Sequence, residues 1–387
     1  MTSVITDAVV IGAGISGAAT ALELAEAGLS VVLVDRWGPA AMASGWTLAG
    51  VRQSGRHLAE LPLAQAAVRQ WETLGQRLGT DVRYRQEGNL RLARNEAELP
   101  VIEQLVAEQS AAGLHLVLLR GDEVRAVAPA LSQHVLAACY CATDGHADPA
   151  AAVNGFVEAG KRAGVVTRFG ERVEAIECED GRAVAVRTDK GRIACGQVVV
   201  TAGVLANELL APLGAAVPFD VQLVTAMRSV PLPPVLRPVI GVANGDCAGR
   251  QQWDGCFRVT NSAGPFTGTV VDGVRPTVHP PARGLQQVVE LFGSVVPAFA
   301  DAPIEAVWAG LIDLTPDALP VLDRAPGLEN VAVGAGFSGH GFCLGPVTGR
   351  VLAGLATGRP ASFDLSPFAA ARFAGWNGCS EPVTLHG

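Results

Sequence analysis

Two glycine-rich segments near opposite ends of the chain have the composition of loops that approach a phosphate or a flat ring. The first runs from Gly12 to Gly17. In such a turn, Gly12 permits the tight bend, Gly14 lets the backbone approach a pyrophosphate, and Gly17 allows a helix to pack closely on a strand. Asp35 follows Gly17 by eighteen residues, where a carboxylate can accept hydrogen bonds from a ribose. This spacing predicts a dinucleotide site at a helix N-terminus.

The second segment spans Gly334 to Phe342 and reads Gly-Ala-Gly-Phe-Ser-Gly-His-Gly-Phe. A loop that merely needs permissive φ angles is the simpler alternative. The glycine density, followed by a helix pattern over Val347 to Leu355, favours close approach to a cofactor. We predict that the two segments form two walls of one dinucleotide site, which makes the protein a flavoenzyme.

The elements around the first segment are predicted by hydrophobic periodicity. The apolar run Ala8 to Ile11 predicts a buried parallel strand, Ile15 to Ala27 a helix, and Ser30 to Val34 the next strand. Leu61 to Leu78 has apolar residues at helical spacing. Asp148 before a proline predicts a capped helix start.

The middle of the chain has a different pattern. A strand-like run extends from Tyr84 to Ala93, and prolines separate further strand-like runs between about Val217 and Ile312. This pattern predicts a mostly antiparallel sheet that holds the substrate.

Composition excludes several classes of protein. The chain has 387 residues, 49% hydrophobic and 17% charged, enough for a large core and two domains. A net charge of -8 gives no electrostatic footprint for nucleic acid or an anionic membrane. No apolar run reaches the roughly 18 residues of a membrane span. The eight cysteines form no CxxC pair, so we expect no metal site and reduced thiols in a cytoplasmic protein.

Several motifs occur in an order that is known from one family. They are Gly12–Gly17 with Asp35, Asp144–Pro149, Thr201–Gly203, Trp308–Gly310 with Thr315–Asp317, and Gly336–Phe342. In these residues, and over nearly its whole length, the chain resembles the D-amino acid oxidase superfamily. It is most similar to the branch of heteromeric sarcosine oxidase, D-hydroxyproline, proline and opine dehydrogenase beta subunits.

The resemblance implies an α/β fold. An FAD-binding, Rossmann-like domain of the glutathione reductase type is interleaved with an α+β substrate domain built on a mostly antiparallel sheet. We expect residues 1–80, 143–215 and 320–387 in the FAD-binding domain, and residues 81–142 and 216–319 in the substrate domain.

The resemblance also implies non-covalent FAD. The C-terminal segment would lie along the ribityl chain and the pyrimidine of the flavin, and Ser44 would lie near the phosphates. Val173 would lie at the adenine. For the Val173 side chain, a role in the hydrophobic core is an equally good interpretation. The cofactor-binding residues implied are Gly12, Gly14, Ile15, Ser16, Gly17, Asp35, Arg36, Ser44, Gly45, Gly50, Val51, Val173, Ala202, Gly203, Gly336, Phe337, Ser338, Gly339, His340 and Gly341.

The family's chemistry is oxidation of an amine carbon. Hydride leaves the α-carbon of a secondary or D-amino acid for flavin N5, giving an imine, with no obligate side-chain base. Arginine suits the substrate carboxylate because its planar fork makes two charge-assisted hydrogen bonds. Arg52, Arg56 and Arg250 are the candidates, and a solvated or salt-bridged role is the alternative for each. His340 is a candidate for tuning protonation beside the flavin.

Two departures separate this chain from the monomeric sarcosine oxidases. The position of the cysteine that carries FAD in those enzymes falls in Gly310–Leu314, which has no cysteine, and a substrate-binding lysine is replaced by Cys343. We therefore expect the catalytic beta subunit of a dehydrogenase whose partner subunits carry FAD, FMN or iron–sulfur clusters. A stand-alone oxygen-reducing oxidase, an assembly subunit and a tRNA-modifying flavoprotein are the alternatives.

Overall fold

Two large sheets organise residues 4–376, the part of the chain that the computed structural model describes. Its strands, in chain order, are β1 (Val4–Ile11), β2 (Val31–Asp35), β3 (Gly50–Val51), β4 (Asn89–Ala93), β5 (Val117–Arg120), β6 (Ala137–Cys141), β7 (Gly145–His146), β8 (Val166–Phe169), β9 (Val173–Glu179), β10 (Arg182–Thr188), β11 (Gly191–Val200), β12 (Asp220–Pro231), β13 (Val239–Val242), β14 (Cys247–Gln251), β15 (Cys256–Asn261), β16 (Gly264–Pro265), β17 (Ile304–Leu314), β18 (Val321–Arg324) and β19 (Val331–Ala335). Its α-helices are α1 (Ile15–Glu26), α2 (Ala43–Trp46), α3 (Leu61–Leu78), α4 (Leu99–Ala111), α5 (Asp122–Val127), α6 (Pro149–Arg162), α7 (Ala206–Leu210), α8 (Ala282–Val295) and α9 (Gly341–Thr357).

The first sheet has the order β18-β19-β11-β1-β2-β8, and β10 and β9 extend it from β11. The strands from β19 to β8 are parallel, as predicted for the buried run in β1. Since β1 pairs with β2 on one side and with β11 on the other, a crevice opens at its carboxyl end. The first glycine-rich turn follows there directly.

Helices α1 and α9 pack together against this sheet through glycines. A Cβ on Gly345 would lie 2.6 Å from Ile15 Cγ1, and one on Gly349 would lie 2.6 Å from Ala19 Cβ. The predicted cap of α6 is confirmed, because Asp148 Oδ1 accepts a 2.7 Å hydrogen bond from Ala151 N. No helix in residues 4–376 is both long and apolar enough to cross a bilayer.

The second sheet has the order β16-β12-β15-β14-β13-β4-β6-β5, with β17 paired to β12. It is antiparallel, as predicted, except for the parallel pair β13–β4. Helix α8 packs on it through a cluster of Phe257, Phe292 and Phe299, whose ring centroids are 5.3–6.4 Å apart. A short third sheet pairs β3 with β7.

Two predicted elements have other bounds. Helix α9 begins at Gly341 instead of Val347, so its first two residues belong to the second glycine-rich segment. The strand expected from Tyr84 begins only at Asn89, because Gly88 at φ +87° turns the chain against Tyr140. The domain boundaries stay a prediction. The strands of the first sheet fall within residues 4–35, 166–200 and 321–335, and those of the second within 89–141 and 220–314.

Candidate functional site

A cavity of about 150 Å³ lies at the carboxyl ends of β1 and β2. Its wall contains eight of the predicted cofactor-binding residues: Gly12, Gly14, Asp35, Arg36, Ser44, Val173, Ala202 and Gly203. Residues that are more than 180 positions apart in sequence are therefore brought together as the dinucleotide hypothesis requires.

Glycine is required at both ends of the first turn. Gly12 has φ +103°, and a Cβ there would lie 2.5 Å from Thr201 O. A Cβ on Gly17 would lie 1.9 Å from Gly12 O, so α1 begins tightly against the turn. At the N-terminus of α1, Ile15 N donates a 3.0 Å hydrogen bond to Ser44 Oγ. The free backbone donors and the helix dipole there favour an anion.

Asp35 is held by the backbone around it. Its Oδ2 accepts from Ala13 N at 2.8 Å, and its Oδ1 accepts from Trp37 N and Gly38 N at 2.8 and 2.7 Å. Burial raises the pKa of this carboxyl, while the three N–H groups oppose that change. The neighbouring Arg36 is paired with Asp272, so its guanidinium is engaged at the rim of the cavity.

A second cavity of about 270 Å³ continues from the first towards the antiparallel sheet. The two share Gly14, Ser44, Gly203 and Asp313, among others, in their walls. The larger cavity also contains Ile15, Ser16, Gly50, Phe337, Gly339, His340 and Gly341 from the predicted set. The two glycine-rich segments therefore line one continuous space.

Five predicted cofactor residues line neither cavity: Gly17, Gly45, Val51, Gly336 and Ser338. They lie behind the residues that form the walls of the two cavities. This corrects the expectation that they contact the cofactor directly. Cβ atoms on Gly45 and Gly336 would lie 2.1 Å from Ala40 O and 2.3 Å from Thr315 Cγ2.

Ser338 occupies the left-handed region at φ +50° although it is not a glycine. Its fully buried hydroxyl lies 3.1 Å from the Thr315 hydroxyl and accepts a 3.2 Å hydrogen bond from Thr315 N. Val51 is likewise fully buried.

Asp313 is a residue of the wall that the sequence analysis did not single out. It lies at the end of β17, and its Oδ2 accepts a 2.7 Å hydrogen bond from Gly336 N. Burial raises its pKa to about 6, against the opposing effect of backbone N–H groups. The sequence did contain a signal for a functional role of Asp313, because it is a single acidic residue in the apolar run Leu311–Leu314.

Three arginines line the larger cavity: Arg52, Arg56 and Arg91. Gly55, at φ +63°, lets two of them converge, because a Cβ there would lie 2.8 Å from Arg91 Nη1 and 3.0 Å from Arg52 Nη1. Arg91 was missed by the sequence analysis. Its signal was an arginine within the short buried strand β4, between Leu90 and Leu92.

Two buried carboxylates face this arginine group. Asp144 Oδ1 accepts from Gln53 N at 2.8 Å and Oδ2 from the Ser54 hydroxyl at 2.5 Å. Glu60 Oε2 lies 3.0 Å from His340 Nδ1 and 3.7 Å from Arg56 Nη1. Burial lowers the pKa of His340, although the neighbouring Glu60 carboxylate opposes this change.

Arg250 does not line either cavity, which corrects its prediction as a carboxylate ligand. Its Nε and Nη2 donate to Leu48 O at 2.6 Å and Ala147 O at 2.9 Å, and its Nη1 lies 2.8 Å from His146 Nδ1. Burial lowers its pKa to about 9. Arg250 therefore joins the antiparallel sheet to the loops around the cofactor cavity.

Cys343 is buried at the start of α9, and its Sγ lies 3.4 Å from Arg52 O. Burial raises the pKa of this thiol to about 11, so it stays protonated at neutral pH. A protonated thiol offers no positive charge at this position.

Comparison with known proteins agrees with this geometry. A family model described as FAD dependent oxidoreductase (DAO) matches residues 7–355. The chain is 27% identical over 388 residues to the peroxisomal sarcosine oxidase of Homo sapiens, covering 95% of this chain and 96% of that one. It is 26% identical over 364 residues to the glycine oxidase of Bacillus licheniformis, covering 92% and 94%.

Among solved structures, an L-proline dehydrogenase from P. horikoshii superposes with a TM-score of 0.87 at 26% identity, covering 96% of this chain and 98% of that one. The chain therefore belongs to the DAO family of FAD-dependent oxidoreductases.

The residues present fit FAD. Gly14 lines both cavities, and a Cβ there would lie 3.0 Å from Ser44 Oγ, so glycine keeps the space at the N-terminus of α1 open. Asp35 and Val173 line the end expected to hold adenosine. The end expected to hold the flavin is lined by Phe337, Gly339, His340 and Gly341.

Proposed function

We propose that this enzyme oxidises the C–N bond of a secondary or D-amino acid, of the D-hydroxyproline, proline, sarcosine or opine type, to an imine. The convergence of Arg52, Arg56 and Arg91 on the cavity bounded by Phe337 and His340 is the observation that carries the proposal. When bound, FAD supplies the redox chemistry by accepting hydride from the α-carbon.

The arginines hold the substrate carboxylate and thereby fix the position of the α-carbon. Guanidinium groups suit this role because they remain charged when buried and donate in a planar fork. The amine must be uncharged to react. The arginines favour that form, because nearby positive charge disfavours an ammonium ion.

We further propose that the chain works as the catalytic beta subunit of a dehydrogenase that passes electrons to partner subunits. Support comes from two departures from the pattern of the monomeric sarcosine oxidases: the absence of a cysteine in Gly310–Leu314, and Cys343 in place of a lysine. Both oxidases and dehydrogenases match the chain at similar sequence identity. The identity of the electron acceptor therefore has to be determined by experiment.

The test uses the FAD-loaded chain. Under anaerobic conditions, D-proline, L-proline, D-hydroxyproline, sarcosine and D-alanine are mixed with it, and the loss of flavin absorbance is followed. Bleaching by at least one of them is expected, and no bleaching by any of them contradicts amino acid oxidation. Under air, slow peroxide release that a dye acceptor accelerates at least tenfold is expected. Rapid peroxide release without an acceptor contradicts the subunit role.

A further inference from the structure

Residues 52–56 follow β3 and carry two of the arginines that line the larger cavity, Arg52 and Arg56. We call this segment the arginine loop. Within it, Arg52 Nη1 donates hydrogen bonds to the carbonyl of Ser54 at 2.6 Å and to the carbonyl of Gly55 at 2.9 Å. The direction of the Arg52 guanidinium therefore depends on where these two carbonyls point.

Gln109, on helix α4, holds the arginine loop through both ends of its side-chain amide. Its Oε1 accepts a 2.9 Å hydrogen bond from Gly55 N, and its Nε2 donates a 2.7 Å hydrogen bond to Arg56 O. Because a backbone N–H only donates and a carbonyl only accepts, these two partners also fix which way round the amide lies. Gln109 is 3% exposed and does not line the cavity. Its buried amide is thus satisfied entirely by the arginine loop.

One peptide group connects Gln109 to Arg52. The N–H of Gly55 and the carbonyl of Ser54 belong to the same planar unit and point in opposite directions. The N–H bonds to Gln109 Oε1, and the carbonyl accepts from Arg52 Nη1. The hydrogen bond to Gln109 therefore sets the direction of the carbonyl that holds the guanidinium.

The preceding peptide group is held by Asp144, which is fully buried and does not line the cavity. Its carboxylate accepts from Gln53 N at 2.8 Å, from Ser54 N at 3.2 Å and from the Ser54 hydroxyl. With this end of the arginine loop fixed by Asp144, the amide of Gln109 fixes the other end.

We infer that Gln109 is a positioning residue for the oxidation: through the peptide group between Ser54 and Gly55, it directs the Arg52 guanidinium towards the substrate carboxylate. The inference rests on the proposed function, in which the arginines bind that carboxylate, and it adds a residue outside the cavity to the binding site. Loss of the Gln109 amide should therefore weaken the binding of a carboxylate more than the binding of a neutral ligand of the same shape.

The test measures binding without turnover. Methylthioacetate matches sarcosine in shape, but sulfur replaces the oxidisable amine, and methylthioacetamide has a neutral amide in place of the carboxylate. Their dissociation constants are obtained from the perturbation of the flavin spectrum of the FAD-loaded protein. The dissociation constant of the amide divided by that of the acid reports recognition of the carboxylate. We expect this ratio to be about 30 or more in the wild type, because only the acid makes charge-assisted hydrogen bonds to a guanidinium.

The Gln109→Met variant keeps the approximate length of the side chain, leaves its charge unchanged and removes both hydrogen bonds to the arginine loop. We expect the ratio of dissociation constants to fall roughly tenfold, because a small displacement of a positioning group is costly.

Gln251→Met is the matched control. Gln251 is also buried outside the cavity, and its amide also holds a loop, because Oε1 accepts from Val235 N and Leu236 N and Nε2 donates to Pro233 O. Both variants lose buried hydrogen bonds, so both should have lower melting temperatures than the wild type. Gln251→Met should leave the ratio of dissociation constants unchanged, since its loop does not carry a cavity arginine.

Two results overturn the inference: a wild-type ratio near one, or the same ratio in FAD-loaded Gln109→Met as in the wild type. If Gln109→Met does not fold, Gln109→Asn replaces it. The shorter amide cannot reach both Gly55 N and Arg56 O in their present positions, so the ratio should fall about threefold or more. An unchanged ratio in Gln109→Asn also overturns the inference. Bleaching of the flavin by an amino acid, measured separately, tests the proposed function whichever way these ratios fall.

Discussion

Arg250 Nη1 lies 2.8 Å from His146 Nδ1, and both side chains are buried. Because a guanidinium only donates, His146 Nδ1 is the acceptor and the imidazole carries its proton on Nε2, 3.5 Å from Glu87 Oε2. The contact fixes one tautomer of a neutral histidine. It also joins the strand that carries Arg250 to the short sheet beside the cofactor cavity.

The first prediction concerns pH. Burial lowers the pKa of His146 from 6.5 to about 4, so between these values the unfolded chain binds a proton at this site and the folded chain does not. Its contribution to the free energy of unfolding is therefore complete above about pH 6.5 and is lost as the pH falls towards 4, by up to about 3 kcal/mol.

Urea unfolding of wild type and His146→Gln across pH 4–7 measures this effect. The difference in unfolding free energy between the two should shrink as the pH falls. The exposed His134→Gln serves as control and should keep a constant difference from the wild type. A pH-independent difference for His146→Gln would contradict the prediction, because it would mean that folding leaves the pKa of His146 unchanged.

The second prediction separates positioning from substrate binding at Arg250. Arg250→Met leaves the carbonyls of Leu48 and Ala147 buried without donors, which should lower the unfolding free energy by about 3 kcal/mol. The dissociation constant for methylthioacetate should change less than threefold, since Arg250 is outside the cavity. Arg359→Met, at an exposed site, should change stability by less than about 0.5 kcal/mol. A large loss of ligand affinity with unchanged stability would indicate that Arg250 binds the substrate and would contradict the positioning role.

The third prediction tests the packing of α1 on α9. Gly349→Ala places a methyl group 2.6 Å from Ala19 Cβ and should cost roughly 1–3 kcal/mol of stability. Gly354→Ala in the same helix meets nothing closer than Arg359 O at 3.5 Å, and should stabilise by roughly 0.5–1 kcal/mol through helix propensity. Thermal unfolding of the two variants distinguishes them, and similar melting temperatures would contradict the close packing.

The fourth prediction concerns Asp313. Its pKa is about 6 in the folded chain against 3.8 ordinarily, so between these values the folded state holds a proton that the unfolded chain has released. The contribution of this group to the free energy of unfolding is complete below about pH 4 and is lost as the pH rises to about 6. The loss is on the order of 3 kcal/mol.

Asp313→Asn keeps an oxygen acceptor for Gly336 N and removes the ionisation. The variant without FAD should therefore gain stability relative to the wild type as the pH rises from 4 to 7. Asp301→Asn, at an exposed position, should show no such trend. The pH dependence of stability due to Asp313 is opposite in sign to that due to His146. In the wild type the two partly cancel, so each is measured with the variant that removes it.

Much of the cofactor half of the molecule was predictable from the sequence. Helix α3 has the predicted bounds Leu61–Leu78, and the strand, turn and helix around Gly12 follow the predicted order. These features depend on periodicity and glycine spacing within about twenty residues, which a sequence displays directly.

The substrate end was predicted less well. Arg52 and His340 were found because they lie beside recognisable segments, whereas Arg91 and Glu60 lie in an ordinary strand and before an ordinary helix.

Arg250 lies on the same face of β14 as Ala248, which lines the cavity, but its guanidinium donates to the carbonyls of Leu48 and Ala147 instead. These partners are 202 and 103 residues away in sequence, so the sequence did not reveal them.

The sequence by itself determined the nucleotide turn, its helix and the family, since short-range spacing dictates which backbone can approach a phosphate. Only the tertiary structure decided which charges share the substrate cavity. Arg91 meets Arg52 because strand β4 passes Gly55, and Glu60 meets His340 across 280 residues of sequence. Buried charges act through distances of a few ångströms, and those distances are set by how the sheets and helices pack.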